Sequence, residues 1–249
     1  MKRISIILFI VLALLLAALA VRAPASLVTP RLEHLTSDRL SLVDASGTLW
    51  RGTGTLAAGD QRVPIAWRVH PASLVRGEVA VTLAPASPGA NSPHGDIVAK
   101  QSGAHVREFS IQLPAAALVA AAIPRPRLDA RGVVDVQATD LDWPPRSGTG
   151  AITAVWHDAA IGLAGTVPVA LGDVSAQLMA RDRELRGPLR NTGGEFDLAG
   201  ELTVRADGSG GVNGVVRTRR PDDPRLGALL AIGTPEAGGV RVQWQWPAP

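Results

Sequence analysis

The sequence predicts a mainly β protein: a single N-terminal transmembrane helix, then an extended, curved antiparallel β-sheet domain with a few short helices. Two patterns carry that expectation. An uncharged apolar run fills residues 4–21, and beyond it apolar residues recur at every second position in segment after segment, separated by clusters of Gly, Pro, Asn and Asp. Composition narrows the chemistry further. The 249 residues contain no cysteine, which excludes disulfides, zinc–thiolate sites and thiol nucleophiles together.

The run through Ile4, Ile7, Leu8, Val11, Leu15 and Val21 holds one hydroxyl, at Ser5, and no charge. As a helix rising about 1.5 Å per residue it spans about 27 Å, close to a bilayer core. A cleaved signal peptide is the competing reading, because Lys2 and Arg3 form a basic head and Ala18-Leu19-Ala20 has the form of a cleavage site. The stretch from Ile6 to Val21 exceeds the ~7–15 residues of a signal-peptide core, and no polar segment precedes those alanines, so a retained anchor is preferred. Either way Lys2 and Arg3 stay inside and the chain from Arg22 onward is exported. The expected organisation is a cytoplasmic tail at 1–3, an anchor in the cell inner membrane at 4–22, a juxtamembrane helix and linker at 23–45, and a periplasmic β-rich domain at 46–249.

Charge adds little. The 25 Lys and Arg outnumber the 22 Asp and Glu only through Lys2, Arg3 and Arg22, so the exported part is formally neutral with histidines uncharged. A nucleic-acid partner needs a net basic face. The one basic concentration, Arg217-Thr218-Arg219-Arg220, runs straight into Asp222 and Asp223 and reads as a solvated turn, so no nucleic-acid partner is expected.

Strand signals then follow in order. In 63–69 the large apolar residues Val63, Ile65, Trp67 and Val69 take every odd position, and 77–83, 109–113 and 152–156 repeat the alternation, with 132–136 less regular. Segments 174–178 and 196–202 follow, and 240–246 is the clearest of all. Turn signals separate them at 58–60, 144–146, 191–194 and 206–211. Short apolar helices opening on proline are expected at 71–74, 114–121 and 224–231, capping the sheet. A juxtamembrane helix is expected over 25–35, interrupted at Pro30. A faint repeat of Gly, Trp and proline-started helix suggests sub-halves 46–126 and 127–249, divided near Pro124-Arg125-Pro126.

The residues also carry a family resemblance. After the span come Ser46-Gly47-Thr48-Leu49-Trp50-Arg51-Gly52, then Ile65-Ala66-Trp67-Arg68-Val69-His70-Pro71 with Leu74, then Pro114-Ala115 with Leu118, then Trp156, and last Leu226, Leu229, Leu230 and Gly233 before a Trp-bearing terminal strand. This order resembles type II secretion system protein N, a bitopic inner-membrane component of the general secretion pathway. Gly47, Leu49, Trp50, Trp67, Pro71, Trp156 and Leu229 are the positions that carry the likeness. The resemblance implies a short cytoplasmic tail, one anchor and a periplasmic β domain, with other type II secretion components and the inner membrane as partners, no cofactor and no catalysis.

The reactive side chains of the sequence fit the non-enzymatic reading. The histidines at 34, 70, 94, 105 and 157 show no metal-ligand spacing. His157-Asp158 lacks a Gly-x-Ser-x-Gly partner and reads as a surface turn after the Trp156 strand. Asp135, Asp140 and Asp142 lack the glycine turn and terminal Glu of a calcium loop and read as a strand edge and turn, while Gly208-Ser209-Gly210-Gly211 lacks the Lys-Ser/Thr of a phosphate loop and reads as a hairpin. Trp50, Trp67, Trp156, Trp244 and Trp246 fall in apolar phase and are expected in the core, whereas Trp143, before Pro144-Pro145, is expected on an exposed loop. The terminal strand, with Arg241, Gln243 and Gln245, is the candidate edge for a partner. Two further functions stay open: an envelope lipid-handling module holding acyl chains in an apolar β groove, and a secreted hydrolase.

Overall fold

The computed structural model describes residues 24–25, 41–58, 61–86, 92–122, 128–146, 149–163, 168–181, 183–220, 233–236 and 238–246. The anchor at 4–22 lies outside them, as do the expected helix at 224–231 and most of the juxtamembrane segment. No helix among the described residues is long and apolar enough to cross a membrane. The chain divides into two compact units, Met1–Ser92 and Pro93–Pro249.

In the first unit each strand pairs antiparallel with the next: β1 (Ser41–Gly47), β2 (Arg51–Ala58), β3 (Gln61–His70) and β4 (Val79–Ala84). The odd-position phase of β3 is the buried one. Ile65 and Trp67 join Leu42 and Ala25 in a core flanked by Val63, Val69, Val81 and Leu83. The helical turn α1 (Pro71–Leu74) links β3 to β4 and has proline in its first turn, where no N–H is needed. Its Ser73 hydroxyl donates to the His70 carbonyl at 2.7 Å and accepts from the Ala80 N–H at 3.0 Å, fixing the entry into β4.

The second unit is a longer antiparallel meander. It runs β5 (His94–Lys100), β6 (Gly103–Pro114), α2 (Ala115–Ala122), β7 (Leu128–Trp143), β8 (Ala151–Leu163), β9 (Val169–Arg181), β10 (Glu184–Thr192), β11 (Phe196–Arg205) and β12 (Gly210–Thr218). There the order changes: β12 pairs with β14 (Gly239–Trp246), and the three-residue β13 (Thr234–Glu236) pairs with the start of β14. Alternation puts one residue in two on the apolar face. In β9 Val174, Ala176, Leu178 and Ala180 are buried while Ser175, Gln177, Met179 and Arg181 are exposed. Bulges between Arg131 and Val133 and between Trp156 and Ala159 bend β7 and β8 at neighbouring points.

Several expectations change here. Residues 41–45, expected as linker, are strand, because Leu42 in β1 is buried against Ile65 and Trp67. Pro24 bridges Thr48, and Ala25 is buried. The division falls between Ser92 and Pro93, away from 124–126; β6 and β7 pair across that region from Ala104–Trp143 to Pro114–Val133. Trp143 is the last residue of β7 and packs on the Ala138, Leu141 and Leu178 core instead of lying exposed on a loop. His157-Asp158 lies inside β8, at the bulge and not in a turn. Strands β1, β2, β5, β10, β12 and β13 are additional to the eight alternating segments expected.

Candidate functional site

The family-like motif in the first unit is one structural knot. Ser46 and Gly47 end β1, Arg51 and Gly52 open β2, and the connecting turn is closed by the Thr48 N–H donating to the Arg51 carbonyl at 2.9 Å. Gly47 has a φ of 92°, a region open to glycine. Gly52 is required for space: a Cβ there would stand 2.5 Å from the Trp67 ring. The Trp67 indole, only 9% exposed, donates Nε1–H to the Leu49 carbonyl at 3.2 Å, and the Val69 N–H donates to the Trp50 carbonyl at 2.7 Å. Gly47, Leu49, Trp50 and Trp67 thus meet, and Pro71 stands just past the same β3 strand, opening α1. Leu229 and the anchor residues lie outside the described residues.

The second unit has an apolar concavity of about 510 Å³ on the inner face of its sheet, bounded by side chains of α2 and of strands from β7 to β14. Seven strands at ~4.8 Å spacing would be about 29 Å across if flat; one hollow reached from both ends of that series means the face is curved. Register explains its shape. One transverse row passes through Val136, Ala154, Ala176, Leu189, Gly200, Gly214 and Val242, and most of its residues are small. Beside it runs the bulkier row Leu202, Val212, Trp244, and on its other side Val134, Trp156, Val174. The result is a floor between two walls. Gly200 and Gly214 face one another so closely that a Cβ on Gly200 would lie 2.7 Å from the Gly214 Cα.

The lining is Ala, Leu, Val and Trp. Its indoles are oriented by backbone acceptors: Trp156 donates to Arg131 O at 2.8 Å and Trp246 to Gly208 O at 3.1 Å. Trp244 departs from the core placement expected of it, being 40% exposed with its ring 5.5 Å from that of Trp246. Asn191 closes the neighbouring row by satisfying backbone, donating to Leu171 O at 2.5 Å and Phe196 O at 2.7 Å and accepting from the Leu198 N–H at 2.7 Å.

Polar side chains gather elsewhere. His157 Nε2 is 3.2 Å from Asp135 and its Nδ1 3.7 Å from Asp173, whose other oxygen accepts the Asp158 N–H at 3.1 Å. These groups straddle β7, β8 and β9 at the bulge, where Asp158 has a φ of 50°. Asp142 instead pairs with His105 at 3.0 Å and Arg146 at 4.0 Å, so Asp135 and Asp142 serve separate clusters. No group of three or more His, Asp and Glu side chains among the described residues is arranged to hold a metal. Arg219, from the basic run, pairs with Asp197. In the hairpin at 206–209 the Ser209 hydroxyl, and then its N–H at 2.8 Å, hold the Asp207 carboxyl below its ordinary value.

The terminal strand is an edge over part of its length. Arg241 sits opposite Thr234 of β13 and its guanidinium grips Glu236 at 2.9 and 3.1 Å. Past Arg241, no partner strand flanks β14 on that side among the described residues, and Gln243, Trp244 and Gln245 are exposed.

The described residues define the class: a mainly β protein of antiparallel strands, with an apolar hollow in its second unit and a terminal strand open over part of its length. The family model for type II secretion system (T2SS), protein N matches residues 38–244, and the chain belongs to that family. The family is a secretion component, and membership implies contact with other components of the type II system. No curated protein and no solved structure matches the chain.

Proposed function

We propose that this chain is a non-catalytic component of the type II secretion system, anchored in the inner membrane by residues 4–22, whose periplasmic β units take part in export of folded proteins across the outer membrane. The observation that carries it is the family match over 38–244, which extends through both compact units. The uncharged run at 4–21 supports the anchor and its orientation with Lys2 and Arg3 inside. The ion-paired placement of His157 and Asp142 supports structural roles for the polar clusters. Deleting the gene in its own host should leave a folded exoprotein trapped in the periplasm, with secretion restored by the full chain. The same chain carrying a periplasm-dependent reporter after Pro249 should be active and sediment at full length with the inner membrane. Normal secretion in the deletion strain overturns the role; a soluble product beginning at Val21 overturns the anchor.

A further inference from the structure

We infer that the hollow of the second unit holds one acyl chain of a membrane phospholipid. Its chemistry selects the occupant. A bound peptide strand would bring N–H and C=O groups that need partners, and burying them unpaired is costly. The lining offers only Ala, Leu, Val and Trp side chains, and of its three indole N–H groups those of Trp156 and Trp246 are already donated to the protein's own carbonyls. Sugars, nucleotides and charged groups meet the same mismatch. A hydrocarbon chain needs no partner.

Shape narrows the choice. Ala154 and Ala176, adjacent in the row, make a low floor for a trough between the Trp156 wall and the Trp244 wall, with Leu189 beside them and the side-chain-free Gly200 and Gly214 further along the same row. Such a floor fits a linear molecule better than a compact one, and about 510 Å³ lies within the range of small-molecule sites. Trp244 at the wall is 40% exposed, so a chain can lie against it while its headgroup stays in water. The source follows from the sequence: residues 4–21 form an uncharged run of membrane-spanning length, which keeps the bilayer's own phospholipid within reach. The inference does not depend on the secretion role.

A photoreactive benzoyl-phenylalanine placed singly at Leu189, at Leu202 and at Met179 in the full membrane-bound chain tests it in cells. Leu189 and Leu202 line the trough, whereas Met179 is on the opposite face and 55% exposed. On illumination the first two should gain the mass of an intact phospholipid and Met179 should not. Ala154→Phe, filling the floor, should abolish the adduct at Leu202 while the melting temperature holds. If that variant fails to fold, Val136→Phe, at a partly exposed position in the same row, takes its place. A free fatty-acid mass, a protein adduct at the trough positions, no adduct, or equal lipid labelling at Met179 would each overturn the inference. Lipid adducts in a chain whose loss leaves secretion intact would retain this inference and remove the secretion role.

Discussion

The Trp67 ring shows how far single residues fix the first unit. It fills the space that Gly52 leaves free, and its N–H ties β3 to the Leu49 carbonyl, so one side chain joins the family-like turn to the strand behind it. Trp67→Ala should cost about 3–5 kcal/mol, a large share of a domain's ~5–15 kcal/mol margin. The expected readout is a lowered melting temperature of the purified chain and loss of the protein in cells; an unchanged melt would place the ring at the surface. The burial of Trp67 was legible because β3 alternates cleanly. Asn191 was not. Its sequence neighbours Thr192-Gly193-Gly194 read as a turn, and only the fold places its amide between the Leu171 and Phe196 carbonyls, where it bonds backbone that an apolar side chain would leave unpaired.

At the scale of elements, legibility followed the size of the inward-facing residues. Strands with Val, Ile, Trp or Leu in that phase were readable, as at 63–69, 174–178 and 240–246. In β10 the inward positions are Leu185, Gly187, Leu189 and Asn191, with Pro188 on the outward face between two of them, and in β12 the inward positions include Gly210 and Gly214. Glycine and proline weaken a strand pattern wherever tertiary close approach demands them; a Cβ on Gly187 would collide with the Gln177 carbonyl. The late edge β13 is too short to carry a pattern. Its presence shortens the free part of β14 to the residues after Arg241, which makes a test possible. Along a strand, successive residues direct their N–H groups alternately to one neighbour and the other. Of Gln243→Pro and Trp244→Pro, therefore, one removes a bond to β12 and the other removes an outward donor. The first should destabilise the unit, by roughly the 1–3 kcal/mol of an unsatisfied buried group. The second should keep the melting temperature and lose crosslinking to other secretion components. If the folded variant keeps every crosslink, β14 is not a partner edge.

For the whole molecule, the mainly β, antiparallel character and the family were legible, while the break between Ser92 and Pro93 was not, since no composition shift marks it. The apolar hollow was legible only as one apolar face; its floor comes from register across six strand pairs, which no local window contains. What separates a presenting scaffold from an enzyme is whether its most reactive-looking side chains matter beyond folding. His157 is the sharpest case, lying between Asp135 and Asp173 with 45% of its side chain exposed. Exposed pairs of this kind contribute ~0–1 kcal/mol. Asp158 holds a left-handed φ of 50°, which Asn tolerates and Ala does not, so Asp158→Asn is the substitution that removes its charge without backbone strain. A chain with His157→Ala and Asp158→Asn together should melt within a few degrees of the parent, remain in the membrane fraction and support normal secretion. Loss of secretion from that stable, correctly placed double variant would show that the cluster holds a reacting or recognising group, and the scaffold reading would give way to an enzymatic or direct-recognition role at the β8 bulge.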